Sequence, residues 1–117
     1  MVSRFVSFGE VPSFALAAGA GARALFGERA MLNLVEMEPG ATVPVHAHPH
    51  EQLGLILRGS MTMTIADEQR EMRHLDAYLA PPGVDHGGTA GPEGALILDV
   101  FAPVREDYRH AAEDAAG

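Results

Sequence analysis

The sequence contains neither cysteine nor lysine among its 117 residues. Without cysteine, the protein can form no disulfide bond, offers no thiolate ligand to a metal and carries no cysteine nucleophile. Without lysine, no side-chain amine is present to form a Schiff base with a carbonyl substrate. Several kinds of covalent catalysis and of metal binding are therefore excluded.

Long apolar runs and an excess of positive charge are missing as well. The N-terminal residues lack the hydrophobic stretch of a signal peptide, and no apolar run approaches the length of a membrane span. The formal net charge of −8 argues against nucleic acid or an anionic membrane as a partner. We therefore expect one cytoplasmic domain over residues 1–117, with neither of these partners. A hydrophobic content of 47% is sufficient for a modest core.

No long amphipathic helix is predicted. Short apolar segments separated by turn signals at intervals of about 8–12 residues are typical of an all-β jelly roll. Strands are predicted over residues 3–8, 23–26, 30–37, 53–57, 61–65, 69–73, 77–80 and 95–101. Residues 16–22 and 87–94 are rich in glycine and read as loops, and residues 105–117 form either a helical turn or a disordered tail.

The segment over residues 53–57 is apolar at every position. Continuous apolarity in a strand indicates that both of its faces are buried. In a single closed barrel, one face of such a strand would meet solvent. The sequence therefore predicts that this face lies in a subunit interface and that the protein is a homodimer.

Three of the six histidines, His46, His48 and His50, fall within five residues of one another. Because side chains alternate along a strand, His46 and His48 would project to the same side. Two such imidazoles chelate a transition metal when a distant strand supplies a further donor. His86, which follows the rigid corner Pro81-Pro82-Gly83, is the expected source of that donor. The alternative is a group of solvated surface histidines.

The segment from Gly40 to Gly59 resembles the first motif of the cupin family, with Gln52 where many members carry Glu. The corner before His86 resembles the second motif. Two positions differ from the usual pattern, since Leu75 replaces a common Gly and Ala90 replaces a common Asn.

This resemblance, which covers about residues 21–108, implies a single-domain cupin jelly-roll β-barrel. The barrel would span about residues 21–104, between the N-terminal strand and the tail. It also implies one divalent transition metal (Ni, Fe, Mn, Zn or Co), with the identity left open. The implied ligands are His46, His48, Gln52 and His86.

The last predicted strand places Asp99 on the same face as Ile97 and Phe101, opposite Leu96, Leu98 and Val100. A carboxylate on a buried strand face must be paired, hydrogen-bonded or functional, because burying it alone is costly. Asp99 therefore either lines the metal pocket as an acid or base, or fills a structural role by capping a loop or pairing with an arginine.

The same stretch resembles a subset of small cupins that process uronates by opening unsaturated monouronate rings to linear keto forms. This resemblance implies catalytic roles for Asp99, Phe101 and Arg105 on a small anionic substrate. Asp99 would transfer a proton, Arg105 would hold a carboxylate, and Phe101 would form an apolar wall or belong to the ordinary core.

The leading hypothesis is therefore a metal-dependent enzyme of the isomerase or lyase type that acts on a sugar acid or on a keto or hydroxy acid. The alternatives are a cupin dioxygenase acting on an enolic small molecule, and a cupin that binds a small molecule without catalysis.

Overall fold

The computed structural model describes residues 4–117, which fold into eight antiparallel strands followed by one α-helix. The strands are β1 (Phe14–Ala17), β2 (Ala20–Phe26), β3 (Met31–Met37), β4 (Thr42–His46), β5 (Glu51–Ile65), β6 (Glu68–Met72), β7 (Ala77–Ala80) and β8 (His86–Ala102). The helix α1 spans Glu106–Ala116, and a short 3-10 helix at Phe8–Glu10 precedes β1. The prediction of an all-β jelly-roll barrel is confirmed.

The two long strands, β5 and β8, pair with each other and hold the barrel together. Their register shifts next to Gly59, where the backbone is left-handed (φ +75°). A Cβ atom at this position would overlap the carbonyl oxygen of Gly94 on the facing strand, so only glycine fits there. Strands β6 and β7 extend β5 on its other side, while β3 and β4 pair with β8.

Strand β3 shows how the sequence pattern forms the core. Its odd-numbered residues from Met31 to Met37 are buried, whereas Leu32 and Leu34 are half-buried and Glu36 is exposed. This is the predicted alternation of an amphipathic strand. The apolar core is lined by side chains from both halves of the barrel, among them Phe14, Ile56, Met61, Met63, Ile97 and Phe101.

Three local predictions are wrong. The predicted strand over residues 3–8 begins at Ser3, outside the described residues, and residues 4–7 are irregular. The next segment, which contains the 3-10 helix, is held by Arg23, whose Nη1 donates to the backbone carbonyls of Phe8, Gly9 and Val11. Residues 16–22 form the β1–β2 hairpin around the left-handed Gly19 rather than a loop.

The glycine-rich segment over residues 87–94 is the third wrong prediction, because it belongs to β8. Its glycines allow close approach of neighbouring strands. A Cβ on Gly87 would lie 2.9 Å from the carbonyl oxygen of Val43 on β4, and a Cβ on Gly88 would overlap Met61 on β5. Glycine inside a strand here marks tight packing rather than a turn.

The C-terminal tail adopts the helical alternative. Alanine favours the helical conformation, and Glu106 and Asp107 in the first turn interact favourably with the helix dipole. The half-buried side chains of Tyr108, Ala111 and Ala112 pack against the core. Within residues 4–117, none of the helices has the length and apolar character that a membrane crossing requires.

Candidate metal centre

The topology brings three of the predicted ligands together. His46 ends β4, His86 begins β8, and the two residues are cross-strand partners. His48 lies two residues beyond the end of β4, so the turn rather than strand alternation places its ring. One ligand-capable nitrogen from each of the three rings lies within 4.8 Å of the others, and the group can hold a metal ion.

Gln52, the second residue of β5, completes the group. Its side-chain oxygen Oε1 lies 2.9 Å from His48 Nε2 and 3.0 Å from His86 Nε2. The Gln52 side chain is buried, as are the two imidazoles that it touches. Four electron-pair donors from three separate stretches of chain therefore converge at one end of the barrel.

Backbone carbonyls orient all three imidazoles. The Nδ1 atoms of His46, His48 and His86 lie 2.8, 3.1 and 3.0 Å from the carbonyl oxygens of Pro44, His50 and Val84, respectively. A carbonyl oxygen only accepts hydrogen bonds, so each Nδ1 carries the proton and donates. The opposite nitrogen, Nε2, is left with a free lone pair in every ring.

The contacts of Gln52 Oε1 are therefore not ordinary hydrogen bonds. The amide oxygen faces the Nε2 lone pairs of His48 and His86 with no proton between them. Double protonation of the rings would supply protons, but burial lowers the pKa of both imidazoles below its usual value. A cation bound among these atoms resolves the repulsion.

The donor set suits a divalent transition metal. Neutral imidazoles and an amide oxygen are ligands that such ions accept. Gln52 Oε1 lies 2.9 and 3.0 Å from two of the imidazole nitrogens, close enough for these donors to share one ion. The hydrogen bonds from Nδ1 to backbone carbonyls are the arrangement that commonly fixes metal-binding histidines.

Asp99 is connected to Gln52, one of these donors, through hydrogen bonds of the Tyr78 hydroxyl. The Tyr78 hydroxyl donates to Asp99 Oδ1 at 2.5 Å and accepts from Gln52 Nε2 at 2.7 Å. Burial raises the pKa of Asp99 to about 7, although hydrogen bonds from Tyr78 and Gln52 and the charge of Arg105 act in the opposite direction. Burial and the adjacent Asp99 also raise the pKa of Tyr78 well above its usual value, so the phenol stays protonated.

Arg105 is held by aromatic rings and by Asp107. Its guanidinium carbon lies 3.8 Å from the centre of the Tyr108 ring and 5.2 Å from that of Phe101. Asp107 accepts hydrogen bonds from Nε at 3.2 Å and from Nη2 at 2.7 Å. Nη1 is buried and has no hydrogen-bond partner among the described residues. The Nε–Nη2 edge, which could fork onto a carboxylate, is therefore already occupied.

Three of the four candidate donors, His46, Gln52 and His86, line a small cavity of about 50 Å³ inside the barrel. Its lining combines predicted and unpredicted site residues: His46, Gln52, Tyr78, His86, Asp99, Phe101 and Tyr108. A larger open groove of about 730 Å³ lies on the outside, near Arg23 and Arg58, and contains none of the candidate ligands. The smaller cavity is therefore the candidate site, because three of the candidate ligands line it and none of them lines the larger groove.

Sequence reasoning missed Tyr78, Tyr108 and Asp107. Tyr78 lies 26 positions after Gln52, and only the pairing of β7 with β5 brings the two together. Glu51, the neighbour of Gln52, is exposed, and backbone carbonyls rather than its carboxylate contact the Nδ1 atoms of the candidate ligands. The ring of His50 packs edge-on against His48, and its buried Nδ1 has no hydrogen-bond partner among the described residues.

The sequence of the chain is similar to those of known proteins. The chain is 33% identical to the pectin degradation protein KdgF of Dickeya dadantii over 79 residues, which cover 67% of this chain and 72% of that protein. It is 44% identical to the H2HPP isomerase of Bacillus subtilis over 50 residues, covering 42% of this chain and only 21% of the isomerase.

The fold has close structural neighbours as well. The structure of KdgF from Halomonas superposes with a TM-score of 0.85 at 26% identity, covering 92% of this chain and 99% of that chain. The family model for the cupin domain matches residues 33–101, from the middle of β3 to the end of β8, and so includes all four candidate ligands. The chain belongs to the cupin family.

Proposed function

We propose that the protein is a metal-dependent enzyme that isomerises or opens the ring of a small sugar acid, or of a related keto or hydroxy acid. The observation that carries this proposal is the convergence of three proton-free imidazole nitrogens with Gln52 Oε1, next to a buried carboxylate. Asp99 and Arg105 add an acid–base group and a cation to the same end of the barrel.

His46, His48, Gln52 and His86 would hold the metal. All four ligands are neutral, so a divalent ion would keep its full charge and, when bound, act as a Lewis acid towards oxygen atoms of the substrate. Its identity stays open among Ni, Fe, Mn, Zn and Co, because a site of this kind binds several divalent ions in the general order of affinity.

Asp99 is suited to proton transfer. Its carboxyl group is buried at the cavity wall, and its raised pKa lies near neutral pH. A group with such a pKa can take the proton of a hemiacetal hydroxyl while the ring C–O bond breaks to leave an aldehyde and an enolate. It can then return that proton to the enolate carbon, which gives the linear keto form. Its Oδ1 stays bound to Tyr78, which fixes the position of the carboxylate.

Arg105 would bind the carboxylate of the substrate through Nη1, the buried donor without a partner among the described residues. The rings of Tyr108 and Phe101 hold the guanidinium in place, so little side-chain freedom is lost on binding. Phe101 also lines the cavity and contacts His48 edge-on, with 5.6 Å between ring centres, and would give the substrate an apolar wall.

The relatives favour isomerisation over oxygen chemistry. One is named for pectin degradation, and pectin is a polymer of uronic acid, while another is named an isomerase. Only the class of reaction is proposed for this chain, and not the substrate of either relative, because the match covers a minor part of the isomerase.

We also propose that the active form is a homodimer. Two cross-strand rows of apolar side chains cover the outer face of the sheet formed by β2, β3, β8, β5 and β7. The first row is Leu25, Leu32, Val100, Leu53 and Leu79, and the second contains Leu34, Leu98, Leu55 and Ala77. Leu53 and Leu79 are 44% and 49% exposed in the single chain. A continuous apolar face of this size favours association with a second copy.

A substrate screen tests the proposed reaction. Metal-free protein would be reloaded with each candidate ion and mixed with unsaturated monouronates and with enolic keto acids, with and without dioxygen. We expect loss of the ring double bond of a uronate in ultraviolet absorbance, at equal rates in both atmospheres and only with metal. Substrate loss coupled to stoichiometric oxygen consumption would overturn the proposal in favour of a dioxygenase.

A further inference from the structure

A row of cross-strand partners runs across the inner face of the barrel through Tyr78, Gly54 and Asp99. Tyr78 on β7 is opposite Gly54 on β5, and Gly54 is opposite Asp99 on β8. The phenol of Tyr78 therefore crosses a whole strand to reach Asp99. It can do so because position 54 has no side chain: a Cβ there would overlap the Tyr78 ring and lie 2.6 Å from Asp99 Oδ1.

The hydroxyl of Tyr78 has a single proton, which determines the orientation of its neighbours. That proton is donated in the hydrogen bond to Asp99 Oδ1. The phenol oxygen is then an acceptor, and the group that faces it from Gln52 must be the NH₂ end of the amide. With the NH₂ end facing Tyr78, Oε1 faces His48 and His86.

The reverse orientation of the amide would turn the NH₂ group towards the imidazoles. An amide nitrogen donates hydrogen bonds and offers no lone pair to a metal. Gln52 can therefore act as a ligand in only one of its two orientations. A glutamate at this position would have no such requirement, because its two carboxylate oxygens are equivalent.

We infer that Tyr78 is a positioning residue that holds Gln52 with its oxygen directed at His48 and His86. This inference rests on the proposed metal centre and adds a residue to it that binds neither metal nor substrate. A merely structural role for Tyr78 predicts a different pattern, in which loss of the hydroxyl has the same effect whether position 52 carries an amide or a carboxylate.

The test compares metal affinity in five proteins: the parent, Tyr78→Phe, Gln52→Glu, the double variant Tyr78→Phe/Gln52→Glu, and Tyr108→Phe. Each is stripped of metal, checked by thermal melting and titrated with Zn²⁺ against a chromophoric chelator. Visible absorption of the Co²⁺-loaded forms reports the ligand set independently. Tyr108→Phe is the matched control, since it removes the other phenol of the chain at a ring that also lines the cavity.

We expect Tyr78→Phe to weaken Zn²⁺ binding by about 10- to 100-fold, as is typical for loss of a group that orients a metal ligand. The Co²⁺ spectrum should change with it. In the Gln52→Glu background, the same substitution should change affinity by less than about threefold, because a carboxylate needs no orientation. Tyr108→Phe should bind Zn²⁺ like the parent.

Two results would overturn the inference while leaving the metal centre intact. One is parental affinity in Tyr78→Phe, and the other is an equal loss of affinity when Tyr78→Phe is made in the parent and in the Gln52→Glu variant. Failure of the parent protein to bind Zn²⁺ or Co²⁺ would instead overturn the proposed metal centre, and the inference with it.

Discussion

Gln52 Oε1 lies 2.9 Å from His48 Nε2, although both atoms present lone pairs. The proton of His48 is on the other side of the ring, where Nδ1 donates to the carbonyl of His50. Two lone pairs at this separation repel each other unless a positive charge lies between or beside them. The relationship therefore favours a bound cation over a simple polar contact.

Asp99→Asn separates proton transfer from metal binding. Asparagine keeps the shape of the side chain, and its oxygen can still accept the proton of Tyr78, but it cannot act as a base. We expect turnover to fall by about 10²- to 10⁴-fold while metal content and folding are retained. Rates, metal analysis and melting curves on the same preparation check this. Folded, metal-loaded Asp99→Asn with parental activity would exclude Asp99 from the mechanism.

Arg105→Ala should act on substrate capture. Removing the Nη1 donor deletes one charge-assisted hydrogen bond, so the Michaelis constant for acids should rise by about 10- to 100-fold. Neutral analogues such as the corresponding esters should be affected much less. Arg109→Ala is the control, because Arg109 stacks on Phe26 and pairs with Glu106 outside the cavity. Equal losses for acids and esters would contradict the assigned role.

The proposed dimer depends on the apolar outer face. Leu53→Glu/Leu79→Glu would place carboxylates in the first row, where burial of charge is costly. We expect light scattering to report twice the chain mass for the parent and the mass of one chain for the double variant. Leu75→Asn serves as the control, since it removes another exposed leucine that belongs to neither row. A parent that is monomeric at micromolar concentrations would refute the dimer.

Leu75 has a left-handed backbone with φ +70° and is 64% exposed. An L-residue in this region is strained by about 1–2 kcal/mol, whereas glycine is not. After the larger conformational freedom of glycine in the unfolded chain is subtracted, Leu75→Gly should raise the free energy of unfolding by about 0.5–1 kcal/mol. Ala77→Gly, two residues later in β7, should lower it. Denaturant titrations measure both, and destabilisation by Leu75→Gly would contradict the strain.

The sequence predicted those parts of the site that depend on local pattern. The inward face of the last strand, with Asp99 and Phe101, follows from strand alternation and is buried as expected. The glycine that is common at position 75 in the family pattern also has a local reason, because the backbone there is left-handed and glycine adopts that conformation without strain.

The parts that could not be predicted depend on partners distant in the sequence. Tyr78 acquires its contacts only from the registers that place it opposite Gly54 and Asp99. Glycines 87 and 88 resemble a loop by composition, yet they serve strand packing, and composition does not distinguish the two uses. Asp107 is close to Arg105 in sequence, but its hold on the guanidinium depends on where α1 begins.

Metal analysis of purified protein tests the central claim most directly. The parent protein, dialysed against each candidate ion and then against buffer, should retain about one divalent ion per chain. His46→Ala/His86→Ala should retain none, because two donors of the set are lost. His74→Ala/His110→Ala, which removes two exposed histidines away from the cluster, should retain the full amount. Stoichiometric metal in His46→Ala/His86→Ala, or none in the parent, would contradict the metal centre.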